Sequence, residues 1–135
     1  KVIAGKFEDA EGPVKGHNVE PVYFDVELEE GKEFNFDLPS THNSLIYLID
    51  GEIKVGDQNH DQAKNSTLII LTRGEKLKVF SLTKAKLSNV SGILNKNLPP
   101  TTSNIAKIIK PKKINFLKCF DIFFDEVLAT NLSKK

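Results

Sequence analysis

Between Val22 and Leu82 the chain is written in short stretches of alternating apolar and polar residues, each stopped by a turn, and this punctuation most limits its fold. In Val22-Tyr23-Phe24-Asp25-Val26-Glu27-Leu28-Glu29, the residues Val22, Phe24, Val26 and Leu28 fall on one side, and Asp25, Glu27 and Glu29 on the other. A period of two is that of a half-buried strand, because successive side chains of a strand point to opposite faces. Glu30-Gly31-Lys32 predicts a tight turn; Glu33 to Leu38 then repeats the alternation, and Pro39 ends it. Leu45-Ile46-Tyr47-Leu48-Ile49 is apolar on both sides, as expected of a strand covered on two faces. Asp50-Gly51 predicts a hairpin into Glu52-Ile53-Lys54-Val55, with a further turn at Gly56-Asp57. Residues 57–66 are polar and read as a loop. Thr67 to Leu71 and Lys76 to Leu82 are strands about the Arg73-Gly74-Glu75 turn, and Ala85 to Leu94 is a weaker one.

Many short strands between glycine-bearing turns predict an all-β sandwich or barrel, not alternating β-α units. A two-layer jelly roll fits, since it leaves few exposed edges. With 135 residues the chain is long enough for one domain with a hydrophobic core. The predicted division is a domain over residues 1–95 and a basic tail over residues 96–135. The first part holds eleven Lys/Arg and fifteen Asp/Glu; the second holds eight lysines and three acids. The overall charge of +1 gives no case for nucleic acid.

The tail opens with a linker, Leu98-Pro99-Pro100-Thr101-Thr102-Ser103. Ile105 to Ile109 reads as a strand or a helical turn that Pro111 closes. From Asn115, a candidate N-cap, the period turns helical: Phe116, Cys119, Phe120, Phe123, Val127 and Leu128 recur at spacings of three and four. A helix near residues 116–130 is expected, ending by Asn131. Its phenylalanine-rich face would dock on a sheet, another domain or a partner.

The single cysteine, Cys119, permits no internal disulfide and reads as a small buried hydrophobe, because no histidine or lysine is placed to make it a thiolate. No apolar run is long enough to span a bilayer, and Lys1 to Gly5 does not begin a signal peptide. Methionine is absent throughout, so the chain is expected to be an excised domain, a fragment or a processed product.

A set of ordered segments runs through the first part. These are Val2-Ile3-Ala4-Gly5, Gly12-Pro13, Pro21 before Tyr23-Phe24-Asp25-Val26, Glu30-Gly31, Leu38-Pro39, Tyr47-Leu48-Ile49-Asp50-Gly51, and Leu71 to Gly74. In that order and spacing they resemble the C-terminal half of the pirins, two-domain cupin proteins. The likeness covers Val2 to about Phe80 and fades after Leu82. Members usually close with a Gly-Pro-Phe-Val-Met-Asn-Thr signature, which is absent from Gly92 to Pro100. The resemblance implies a cupin-like jelly-roll β-sandwich with a C-terminal helix.

It also implies where a metal would be. A catalytic cupin holds a divalent ion with two histidines and a glutamate, plus a histidine from a later strand. The glutamate lies seven residues before the hairpin glycine. Counting back from Gly51 reaches Ser44, with Ser40 and Leu38 at the paired-histidine positions, and Leu77 to Leu87 supplies no later histidine. His42 is near this strand but reads as a loop or rim residue, and His17 and His60 sit in polar loops. No metal, catalytic or cofactor-binding residue is therefore expected. Asp25, Glu27 and Glu29 read as a solvated strand face, no phosphate-binding glycine motif is present, and Lys107, Lys110, Lys112 and Lys113 form a basic cluster without aromatic residues for stacking bases.

By resemblance, this half would pack against an N-terminal cupin domain that carries iron, in a nuclear or cytoplasmic transcriptional coregulator that touches transcription-factor proteins and not DNA or membranes. Two rival readings remain. One is part of a metal-dependent quercetin dioxygenase whose active site lies in the N-terminal domain. The other is a small-molecule-binding barrel without chemistry, which a well-formed apolar pocket would favour.

Overall fold

The computed structural model describes residues 1–15, 20–56, 61–72 and 74–93, and the backbone of 108–113. These form twelve strands in chain order: β1 (Val2–Ala4), β2 (Lys6–Phe7), β3 (Ala10–Glu11), β4 (Val22–Leu28), β5 (Glu33–Asp37), β6 (His42–Asp50), β7 (Glu52–Val55), β8 (Asp61–Lys64), β9 (Thr67–Leu71), β10 (Lys76–Ser81), β11 (Ala85–Ile93) and β12 (Ile108–Lys113). A six-stranded sheet runs β1-β4-β11-β6-β9-β12, a four-stranded sheet runs β5-β10-β7-β8, and β2 and β3 make a ribbon. Every strand pair is antiparallel.

The two larger sheets close on each other as a sandwich. Phe24, Ile46, Leu48, Ile69 and Leu87 from the first meet Phe34, Ile53, Val55, Leu77 and Val79 from the second. The alternation in β4 works as predicted: Val22, Phe24 and Leu28 are buried, and Glu27 is exposed. One end of the core is aromatic. Phe24 stands edge-on to Phe36 at 4.8 Å, and Phe7 of the ribbon stacks on Phe34 at 5.6 Å.

Turn chemistry fixes the layers. Ser81 is fully buried, and its hydroxyl lies 2.5 Å from the Glu29 carbonyl, to which it donates, while accepting from the Lys32 amide at 3.1 Å. The β4–β5 turn is thereby fastened to the end of β10. The β6–β7 hairpin is pinned to the turn after β10 by the Leu82 amide, which donates to the Glu52 carbonyl at 2.8 Å, and by Glu52, whose amide donates to Thr83 Oγ1 at 3.0 Å.

Three local expectations need correction, and the fainter strand expected over Ala85 to Leu94 is present. Residues 61–64 are not loop but β8, paired with β7 from Glu52↔Lys64 to Val55↔Asp61. The strand was disguised because Ala63 is its one buried apolar side chain and it lies on a sheet edge. β6 begins at His42, three residues before the apolar run, because the His42 amide donates to the Pro39 carbonyl at 2.9 Å and turns the chain straight into the sheet. The weak β11 is a nine-residue strand bonded on both sides, to β4 and β6. Pro111 does not end its segment: it lies inside β12, opposite Ile69. Proline can stand there because β12 is the edge of its sheet, where no outer neighbour needs the missing N–H.

The expected helix near 116–130 lies outside the described residues, as do Cys119 and Lys107. Among the described residues no helix is long and apolar enough to cross a membrane.

Candidate functional site

The positions that the cupin spacing assigns to metal ligands are occupied here by Leu38, Ser40 and Ser44. Leu38 is 5% exposed and belongs to the core between the sheets. Ser40 is half-buried in the turn before β6. Ser44 is buried within β6, and its hydroxyl has no hydrogen-bond partner among the described residues. A hydrocarbon and two neutral hydroxyls offer a divalent ion neither imidazole nor carboxylate, so the residues present do not fit one. Among the described residues no group of three or more His, Cys, Asp or Glu is placed to hold a metal. His17 and His60 lie outside the described residues.

His42 is the main departure from expectation. It is not a rim residue but the first residue of β6, 3% exposed, with Nδ1 3.5 Å from Ser91 Oγ. Burial lowers its pKa from the ordinary histidine value, partly opposed by the negative charge of Glu20. The ring is consequently neutral at pH 7.

Its surroundings form a polar patch within the sandwich. On β6 the inward residues are His42, Ser44, Ile46 and Leu48; on β11 they are Ala85, Leu87, Asn89 and Ser91. The register sets Ser44 opposite Ser91 and Asn89 opposite Ile46, with Phe24 beside Asn89 on β4. Asn89 is wholly buried, and neither its Oδ1 nor its Nδ2 has a partner among the described residues. Sequence reading missed this patch, although the period of two in Ala85, Leu87, Asn89 and Ser91 was the signal that could have found it.

The opposite face of the six-stranded sheet is apolar at its centre. Leu45, Tyr47 and Leu68 are buried there as a second cluster, with Ile49, Ile70 and Val90 packed against it. Toward the β4 end the face turns charged: Lys84 bonds Glu29 at 2.8 Å and Lys86 lies 3.4 Å from Glu27. Glu27 and Glu29 are thus solvated, as expected, while Asp25 is half-buried. A shallow groove between β5 and β10 is lined by Glu33, Asn35, Asp37, Lys76 and Lys78, with charges of both signs interleaved and no concentrated chemistry.

Residues 23–92 match the model of the pirin C-terminal cupin domain. A pirin-like protein of Caulobacter vibrioides is 30% identical over 93 residues, or 68% of this chain and 33% of that protein. A Pseudomonas aeruginosa protein, provisionally named a quercetin 2,3-dioxygenase, is 28% identical over 95 residues, or 67% of this chain and 33% of its own. The crystal structure of the quercetin 2,3-dioxygenase from Acinetobacter baumannii shares the fold, with a TM-score of 0.62 and 21% identity over 92% of this chain and 40% of that one. The matched region spans about a third of the length of these curated relatives. With more than half of its 135 residues fitting the family model across the β4–β11 core, the chain belongs to the pirin family and carries its C-terminal cupin domain.

Proposed function

We propose that this domain is the non-catalytic cupin half of a pirin-like protein, a structural and interaction module that packs against an N-terminal, iron-binding cupin domain. The observation that carries this reading is that Leu38, Ser40 and Ser44 stand where the cupin spacing calls for two histidines and a glutamate, with Leu38 built into the core. A domain that keeps the sandwich and lacks the ligands contributes surface and shape, not chemistry. The complete protein is then a coregulator in the nucleus or cytoplasm that contacts transcription-factor proteins through surfaces of this kind.

The test is to express the N-terminal cupin domain separately, mix it with this chain, and measure the mass of the complex by light scattering. A one-to-one complex is expected. Two non-interacting species would refute the interface role.

A second reading rests on the Pseudomonas relative and its name. Under it the complete protein is a flavonol dioxygenase whose metal and reacting oxygen belong to the N-terminal domain. Oxygen consumption with quercetin by a two-domain protein, and none by this chain, is its expected signature.

A further inference from the structure

The inward polar patch on β6 and β11 has no part in the interface role, yet it breaks the rule that buried polar groups find partners. Ser91 and Asn89 are wholly buried, His42 is 3% exposed and Ser44 is 5% exposed. His42 and Ser91 have one another at 3.5 Å, whereas Ser44 Oγ and both polar atoms of the Asn89 side chain have no hydrogen-bond partner among the described residues. The strands on either side offer Asn89 only Ile46 and Phe24 across the register, and neither has a polar side chain. Other buried hydroxyls are satisfied: Ser81 is held by the Glu29–Lys32 turn, and Thr67 donates to the Lys64 carbonyl.

Ser44 and Asn89 are diagonal neighbours, because Ser44 pairs with Ser91 and Asn89 stands two residues earlier on the same face. Diagonal residues on adjacent strands lie about 7–8 Å apart at the backbone and somewhat less between side chains. One bridging oxygen, at roughly 2.7–3.2 Å from each partner, would join polar atoms up to about 6 Å apart, a separation that diagonal side chains can adopt. The chemistry of the patch restricts the guest. Two serines, a carboxamide and a neutral imidazole both donate and accept, and none is charged. A cation finds no carboxylate among them, and an anion finds no positive group. A hydroxyl, which donates once and accepts twice, fits.

We propose that the patch formed by His42, Ser44, Asn89 and Ser91 is a binding site for one uncharged hydroxyl group, supplied by an internal water molecule or a small alcohol, and bridging Asn89 to Ser44.

The first test is a high-resolution crystal structure of this chain grown without alcohols. Density is expected within hydrogen-bond distance of both the Asn89 carboxamide and Ser44 Oγ. An empty site, or an Asn89 side chain turned onto another protein group, would overturn the proposal. The second test is in solution. Cross-relaxation is expected between the Asn89 side-chain amide protons and a bound hydroxyl, at the water resonance if the guest is water. If it is an alcohol, titrated ethanol gives a cross-peak to its methyl group. Loss of the cross-peak to the intact Asn89 amide protons in a folded Ser44→Ala variant supports the bridge, and its persistence at full intensity in that variant overturns it. Should Ser44→Ala not fold, the wild-type density and wild-type cross-peak decide the matter.

Discussion

Replacing Gly51 by alanine tests how firmly the β6–β7 hairpin is seated, and the structure supplies an internal control. Gly51 has φ of +91°, and a Cβ added there falls inside normal contact of the Lys84 carbonyl oxygen and 2.8 Å from the Ala85 Cα. Both are backbone, held by the turn that leads from β10 into β11, so neither can swing aside. Gly31 has a comparable φ of +73° but nothing within 4 Å of an added Cβ. The left-handed conformation costs an L-residue roughly 1–2 kcal/mol at either site. Forcing a methyl group into packed backbone adds about 1–3 kcal/mol at Gly51 alone. Gly51→Ala is therefore expected to lose about 2–5 kcal/mol and Gly31→Ala about 1–2 kcal/mol. With a urea slope on the order of 2 kcal/mol/M, the midpoints should fall by about 1–2.5 M and 0.5–1 M, respectively. The assay is equilibrium urea unfolding followed by far-ultraviolet circular dichroism. Equal losses for the two variants would refute the reasoning, because they would mean that the Lys84–Ala85 backbone does not press on the hairpin.

Leu87→Ala removes a fully buried side chain from the central strand β11 and should cost about 2–5 kcal/mol in the same assay. His42 gives a pH dependence of known sign. Its folded pKa lies below the unfolded value of 6.5, so the unfolded chain binds the extra proton first as pH falls. The stability it contributes is complete above about pH 6.5 and is lost on acidification toward the depressed folded value. Wild-type urea midpoints should hence fall more steeply between pH 7.5 and 5 than those of His42→Gln; parallel slopes would contradict the buried, neutral imidazole. Lys84→Ala, which breaks an exposed pair with Glu29, should leave the midpoint within experimental error.

The architecture was legible where burial is one-sided or complete. β4, β7, β9 and β10 announce themselves because alternation or β-branched runs coincide with their inward residues, such as Phe24, Ile53, Ile69 and Val79. β11 was faint because two of its inward positions, Asn89 and Ser91, are polar, so the period of two carried the wrong residue types. β8 offers one small inward side chain, Ala63, between residues that also suit a loop. Spacing from Gly51 singled out Ser44, yet it could not say that Ser44 faces Ser91. That juxtaposition depends on the β6–β11 register, a pairing of residues 47 apart in the chain. His42 was misjudged for a related reason: Ser40, Thr41 and Asn43 dress the start of β6 as a turn, and only the long-range pairing buries it.

The central claim is that this half of the pirin architecture holds its fold without a metal. Elemental analysis of the purified chain, after incubation with ferrous iron and exhaustive dialysis, addresses it most directly. The account predicts iron far below one equivalent and a urea midpoint unchanged by the treatment. Retention of one iron per chain would contradict it, and would require ligands other than Leu38, Ser40 and Ser44.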